Sequence, residues 1–531
     1  MKRIIQISLA TLTSIILFSA CTKKLDQLPY VQETSEVVYT DPDKVAGALA
    51  KLYAGYTLSG QDATDYPDIS TTDVGTSVYL RLLWEFQELP TDEAVIGWND
   101  NDLLSYHNLS WAAAGYYNRI MYDRIFFEVA ACNEFIREVK AHDYSKFTTD
   151  QQATIAQGVL EARFLRAFAY WTAMDLYGNV PFTTETDGVG AYFPKQIKRA
   201  DLFNYVSSEL RNLSDSLPTP GATDYGRANQ GASLALLSRL YLNASVYTGT
   251  DKYDSCVLYS NKIINSGWYS LNNTYANNFK ADNNTSPEMI FPLVADGTRS
   301  KSYGNTTFII HSEVGGNMNN NTAPYGIASG SGWGGMRATK AFVNKFGDPS
   351  GATDKRAIFY TDGQNLEITT ITSFTDGYAV PKFINLTSTG AAGSDPTQTF
   401  ADTDFPLFRL AEIYLNYAEA TLRGASNGDN ALALGYLNAL RQRAYGNTLG
   451  NITANQMTLN YILDERCREL YFEAIRRTDL VRYNMLTTAT YLWPFKGGSS
   501  TGTSVDSKYN IFPIPTTDLI ANPTLVQNTG Y

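Results

Sequence analysis

Paired carboxylates are the first residues in this chain with a chemistry to offer. Glycoside hydrolysis needs two of them held about 5–10 Å apart, and Asp92-Glu93 and Asp100/Asp102 are candidates by composition. The sequence does not write their separation in space, and solvated or structural roles use the same residue types. Other catalytic patterns do not occur. His107, His142 and His311 are scattered without ligand spacing, and there is no HExxH and no phosphate loop. Gly498-Ser499-Ser500-Thr501-Gly502 has the form of a nucleophile elbow but lacks the strand before it and the helix after it.

Tryptophan placement points to binding instead. Trp98 lies in Glu88-Leu-Pro-Thr-Asp-Glu-Ala-Val-Ile-Gly-Trp-Asn-Asp-Asn101, among short polar side chains and off any helical apolar stripe. Trp333 sits in the glycine run Gly330-Ser-Gly-Trp-Gly-Gly335, which cannot pack it into an ordinary core. A ring in such a setting is either there to be covered by a ligand or plugs a gap between loops. Tyrosine outnumbers the other aromatics, 36 against 25 Phe and 7 Trp. Tyr and Trp present a flat apolar face with a hydrogen-bonding edge, the combination that holds sugar rings, although many must simply pack.

Helices have to position these residues. Asp41-Pro42 opens one, with Asp41 as N-cap and Pro42 at the first position. Ile155, Val159, Ala162, Leu165, Ala169 and Met174 mark another over Gln151 to Tyr177, stopped by Gly178-Asn179. Asp201 to Leu217 carries a further stripe. Ala232 to Val246 with Tyr253 to Ile264, and Arg409 to Leu422 with Ala431 to Arg443, form two helix pairs. Their small residues and tyrosines suit tetratricopeptide-like hairpins as well as a plain amphipathic bundle. A last helical stretch spans Leu459 to Tyr483. Between these blocks Asn265 to Thr403 is rich in Asn, Gly, Ser and Thr. Short apolar runs such as Thr307–Ile310 and Ala379–Ile384 suggest irregular structure with a few strands.

The first residues address the chain. Lys2 and Arg3 precede an apolar run from Ile4 to Phe18, and Ser19-Ala20 lead into Cys21, as in a signal peptide whose cleavage exposes a lipid-accepting cysteine. An ordinary secretory signal with a chance cysteine is the alternative. Lipid chains at Cys21 would tether the mature protein, since each buried methylene contributes ~0.8 kcal/mol. The remaining cysteines, Cys132, Cys256 and Cys467, lie in apolar helical patterns and read as core residues. No later segment is a transmembrane candidate. The net charge of −11 argues against nucleic acid as a partner.

Several segments together resemble the SusD/RagB family. They are Glu161-Ala-Arg-Phe-Leu-Arg-Ala-Phe-Ala-Tyr-Trp with Leu176-Tyr-Gly-Asn-Val-Pro-Phe182, Arg409-Leu-Ala-Glu-Ile-Tyr-Leu-Asn-Tyr-Ala-Glu-Ala420, and Leu463-Asp-Glu-Arg-Cys-Arg-Glu-Leu-Tyr-Phe-Glu-Ala-Ile-Arg-Arg-Thr-Asp-Leu-Val-Arg482. The closing Phe512-Pro-Ile-Pro515 and Gln527-Asn-Thr-Gly-Tyr531 match as well, in colinear order over nearly the whole mature chain.

This resemblance implies a mainly α fold, with a tetratricopeptide-like hairpin scaffold and a loop-rich, partly β ligand-binding lobe. It divides the chain into a signal peptide (1–20), a lipidated tether (21–40), an N-terminal helical scaffold (41–264) with site loops at 73–111, a loop-rich lobe (265–404) and a C-terminal scaffold (405–531). It implies an outer-membrane lipoprotein, not an enzyme, that binds glycans and works with a SusC-like TonB-dependent transporter. Neither cofactor nor metal is expected, since Asp282-Asn283-Asn284 has fewer carboxylates than a hard cation favours.

A narrower likeness, to the family's starch-binding pattern, covers Glu88–Glu93, Trp98, Asp100-Asn101, Ser110-Trp111, Tyr303-Gly304, Gly332-Trp333, Thr375–Gly377 and Tyr491–Gly498. It implies an aromatic arc for an α-glucan from Trp98 and Tyr303, with Trp333 nearby. It implies Arg81, Asn101 and Asp73 as partners for sugar hydroxyls. The pattern places a second tryptophan two residues before Trp98, where this chain has Ile96, so a shorter arc is expected. A different glycan (a fructan, a β-glucan or a host glycan) and a surface glycosidase are the alternatives.

Overall fold

The computed structural model describes residues 35–61, 67–190 and 192–531. Cys21, the leader and most of the expected tether lie outside the described residues. The principal helices are α1 (Pro42–Ala54), α2 (Tyr79–Glu88), α3 (Tyr116–Ala141), α4 (Thr149–Tyr177), α5 (Arg199–Ser216), α6 (Gln230–Leu242), α7 (Tyr253–Ile264), α8 (Thr306–Glu313), α9 (Leu410–Leu422), α10 (Asn430–Tyr445), α11 (Leu459–Leu470) and α12 (Arg476–Arg482). Four short strands matter here: β1 (Ala94–Ile96), β2 (Met289–Leu293), β3 (Met336–Ala338) and β4 (Phe405–Arg409).

The fold is mainly helical. Each helix packs on the next in a continuous stack, α3 on α4, α4 on α5, α5 on α6, α6 on α7, α7 on α9, and α9 on α10 and α11. Local chemistry sets the boundaries. Asp41 caps α1 by accepting from the Asp43 N–H, with Pro42 in the first turn. A reciprocal capping box of Thr148 and Gln151 starts α4. Asp429 accepts the Ala431 and Leu432 N–H groups at the start of α10.

Two sequence expectations need correction. Thr307–Ile310 belongs to helix α8, not to irregular or strand structure, and every residue of α8 is buried. A fully buried short helix has no polar face, so its apolar run carries no helical period. The stretch Leu459 to Tyr483 is two helices. Between them Phe472 and Ala474 adopt φ of +61° and +58°. Buried carboxylates hold this corner: Glu93 accepts the Phe472 N–H at 3.2 Å and Glu88 the Ile475 N–H at 3.2 Å.

The segments that carried the family resemblance form buried ion networks. Arg409 on β4 reaches Glu288, Glu469 and Glu473 at 2.6–2.7 Å. Arg482 forks onto Glu419 at 2.6 and 2.8 Å, and Arg466 reaches Asp479 at 2.7 Å. Glu465 accepts from Arg356 at 2.8 Å, and despite burial Arg356, Arg468 and Arg441 bring its carboxyl down to about 2. These side chains join β2, β4, α9, α11 and α12. Breaking one such pair strands a charge in the core, which costs about 3–5 kcal/mol. Cys132, Cys256 and Cys467 are free and buried, as expected of core residues.

Candidate functional site

β1 emerges from the corner after α2 and pairs antiparallel with β3, Ile96 opposite Met336 and Ala94 opposite Ala338. The pairing continues one step further, where the Gly97 N–H donates to the Gly335 carbonyl at 2.9 Å. Trp98 therefore leaves the end of a two-stranded ladder at a fixed place. His107 supports β1 from behind: its Nε2 accepts the Ile96 N–H at 3.1 Å and its Nδ1 faces the Leu89 carbonyl at 3.1 Å. That pairing fixes the tautomer with the proton on Nδ1. Burial pushes the His107 pKa down to about 4, so the ring is neutral at pH 7.

Trp333 is placed by the end of α8. The N–H groups of Trp333, Gly334 and Gly335 donate to the carbonyls of His311, Val314 and Ser312 at 2.7, 2.8 and 2.9 Å. The glycine run is thus a cap on a helix C-terminus, taking up carbonyls that a helix end leaves unpaired. Its backbone also lies directly under the Trp98 ring: a Cβ on Gly335 would stand 2.6 Å from the ring atom Cζ2. Tyr303 is placed by a second close approach, since a Cβ on Gly304 would stand 2.2 Å from the Gly75 carbonyl oxygen.

These supports bring three rings together. Trp98 and Trp333 have centroids 6.3 Å apart, and Trp333 and Tyr303 6.4 Å apart. All three are half-buried, so Trp333 bridges the other two. Phe308 of α8 backs Trp98 at 5.9 Å, Phe400 backs Tyr303 at 5.0 Å, and His311 stacks behind Trp333 at 5.0 Å.

Arg81, in the first turn of α2, faces the same space. Its Nη1 donates to Asp73 at 2.9 Å and its Nε to Glu85 at 3.0 Å, while its guanidinium lies 4.8 Å over Phe308 and 5.7 Å from the Trp98 centroid. The side chain is almost wholly covered, at 5% exposure, whereas that of Asp73 is 63% exposed. Burial raises the Glu85 carboxyl to about 7, against the pull of Arg81.

The result is a recess of about 590 Å³ walled by Asp73, Arg81, Trp98, Tyr303 and Trp333. Five of the six side chains expected from the sequence meet there. Asn101 does not line it; the same loop contributes Asn99 and Asp100, while Asn101 is exposed with φ of +45°. Sequence reasoning also passed over Val74 in the wall and Phe308, Phe400 and His311 behind it. Ile96 is fully buried and adds no surface to the recess.

The other candidate residues lie elsewhere. Asp92 is buried, bonded to Arg476 at 2.7 and 2.8 Å and to the Tyr491 hydroxyl at 2.7 Å. Glu93 is buried against the α11–α12 corner. Neither faces a substrate, so Asp92/Glu93 cannot be a hydrolytic pair. Asp282 is engaged by the Ser388 N–H and hydroxyl at 2.7 and 2.6 Å. A second groove, of about 420 Å³, lies between α1 and α4 with walls that include Val45, Leu49, Ile155 and Leu293, and offers little but apolar contact.

The model of the SusD family matches residues 348–531, and one described as "Starch-binding associating with outer membrane" matches residues 83–242. The starch-binding protein SusD of Bacteroides thetaiotaomicron is 34% identical, over 91% of this chain and 92% of that one. The chain belongs to the SusD family. A SusD-like protein of Bacteroides ovatus is 23% identical over 89% of this chain and 81% of its own. Two solved structures share the SusD fold with this chain. A SusD superfamily protein from Parabacteroides distasonis has a TM-score of 0.71 at 19% identity, covering 94% of this chain and 100% of its own. Surface glycan-binding protein A from Bacteroides fluxus has 0.70 at 21% identity, covering 92% and 99%. No helix among the described residues is long and apolar enough to cross a membrane.

Proposed function

We propose that this SusD-family protein captures an α-glucan, starch or malto-oligosaccharide, in the recess between Trp98, Trp333 and Tyr303. The observation that carries the proposal is the three-ring array beside the Arg81–Asp73 pair. Sugar rings present apolar C–H faces, which aromatic planes cover, and their edges carry hydroxyls that a guanidinium and carboxylates bind by charge-assisted hydrogen bonds. The rings turn through 50° and 42° between successive members, so together they form a bent platform suited to a curved chain. Asn99 and Asp100, rather than Asn101, supply the polar groups from the Trp98 loop.

The starch-binding relative supports the choice of ligand. Ile96 favours the second reading, a different glycan in the same role, because it leaves the Trp98 end of the array without another ring. In either reading the protein binds without catalysis. Cleavage of a leader ending at Ala20 leaves Cys21 to carry a lipid anchor in the outer membrane, from which the protein faces the cell exterior and passes glycan to a SusC-like TonB-dependent transporter.

Calorimetric titration of the soluble form starting at Thr22 tests the ligand. Maltoheptaose and α-cyclodextrin should bind saturably beside a panel of fructan, β-glucan and host glycans. Heat from another glycan with silence towards both α-glucans would overturn the starch assignment and keep the glycan role.

A further inference from the structure

The recess carries an imbalance of charge that the ring array does not need. Two carboxylates stand in its wall, Asp73 and Asp100, against one guanidinium, Arg81. Arg81 is already committed, with Glu85 bonded to its Nε from the buried side and Asp73 to its Nη1 from the open side. Asp100 is exposed, and no hydrogen bond or ion pair with a described residue engages its carboxylate. The other cations nearby stand at the rim or behind the wall. Lys301 is exposed, without a carboxylate partner among the described residues, over the Phe400 ring that backs Tyr303, 5.7 Å from its centroid and so at the end of the array away from Trp98. Arg337 is buried behind Gly97, its donors taken by the carbonyls of Gly335, Ile371 and Asp376.

We propose that Asp73 and Asp100 make this recess selective for uncharged glycans and exclude chains bearing uronate or sulfate groups. The inference rests on the glycan reading above and narrows it to a substrate class. A sugar seated on Trp98 and Trp333 brings its ring substituents towards the two carboxylates. Hydroxyls there donate to the carboxylate oxygens, which accept only. An anionic substituent over Trp98 and Trp333 cannot donate, and it meets like charge there, with Lys301 standing beyond Tyr303 at the other end of the array. Partly enclosed by protein, that repulsion is stronger than in open water. Selectivity of this kind comes from penalising the wrong ligand as much as from contacts to the right one.

The test compares maltoheptaose with the same chain oxidised at C6 to carry glucuronate units, titrated into the full soluble protein. At low ionic strength the oxidised chain should bind more weakly by about tenfold or more, and the gap should narrow at ~0.5 M salt as screening sets in. Asp100→Asn should reduce the ratio of the two affinities, a change that a purely steric effect of oxidation would not produce. Equal affinities at both salt concentrations, or tighter binding of the oxidised chain, would overturn the charge selection while leaving the glycan reading in place. Binding of neither chain would overturn the α-glucan assignment and this inference with it.

Discussion

The indole N–H of Trp98 donates to the backbone carbonyl of Trp333 at 3.3 Å, joining residues 235 positions apart in the chain. This bond ties the loop after β1 to the glycine cap on α8 and fixes the angle between two faces of the recess. It also makes Trp98 part of the protein's packing, with Phe308 behind it and Gly335 beneath it. The ring is not a freely exposed side chain, and its removal should affect local structure as well as the proposed glycan binding.

Gly335 is the sharpest probe of that geometry. A methyl group there would stand 2.6 Å from Cζ2 and 2.7 Å from Cε2 of Trp98, so the ring must shift. Gly335→Ala should lower glycan affinity by about tenfold, the factor that 1.4 kcal/mol of lost contact produces. Titration checks the affinity, and circular dichroism should show an unchanged helical content.

The Asp92–Arg476 pair should matter for stability alone. Arg476→Met leaves Asp92 buried with only the Tyr491 hydroxyl as a direct partner, a loss of about 3–5 kcal/mol. Denaturant unfolding of the single variant and of Asp92→Leu/Arg476→Met tests this. The double variant should recover most of the loss.

The same burial removes these carboxylates from catalysis. Prolonged incubation of maltoheptaose with the protein should release no new reducing ends, measured by a reducing-sugar assay. Release that disappears in Asp100→Asn would show hydrolysis at the recess and overturn the binding-only account.

His107 predicts how stability depends on acid. Its pKa falls from the usual 6.5 to about 4 because burial disfavours the imidazolium. Between these values the unfolded chain holds a proton that the native protein lacks, so stability falls as pH drops through this window. The contribution is about 3 kcal/mol, fully present above pH 6.5 and lost by about pH 4. Unfolding midpoints of wild type and His107→Gln from pH 4 to 7 should show a shallower slope in the variant.

Much of the scaffold was legible from local signals. The Asp41-Pro42 start, the period through α4 and the exact span of α7 need no tertiary knowledge. Helices buried on every side were passed over. All ten residues of α2 are buried, so the polar stripe of Arg81, Glu85 and Glu88 at i, i+4 and i+7 turns to the recess and the α11–α12 corner instead of to solvent. The long α3 hides likewise, burying Arg124, Glu128 and Asn133 among its apolar residues. The corner between α11 and α12 depends on Glu93 and Glu88, 379 and 387 positions from the amides they accept.

At the recess, Trp98 and Trp333 stood out because ring and setting disagree: large apolar faces among glycine and short polar residues. Tyr303, Arg81 and Asp73 came through the family pattern alone. The shift from Asn101 to Asn99 and Asp100 was not readable, because it turns on the backbone path after Gly97 and the left-handed conformation at Asn101. Phe308 was hidden by its apolar run. The residues that most clearly carry the family pattern, Arg409, Glu465, Arg466, Glu469 and Arg482, build the scaffold's ion networks and do not line the recess.

Calorimetric titration of maltoheptaose into the wild type, Trp98→Ala and Trp333→Ala, each paired with its thermal unfolding midpoint, tests the central claim most directly. The account predicts saturable binding by the wild type, a loss of affinity of about tenfold or more in each variant, and folded variants that melt several degrees lower. Undiminished binding in both folded variants would contradict it, and would place the glycan away from the three rings.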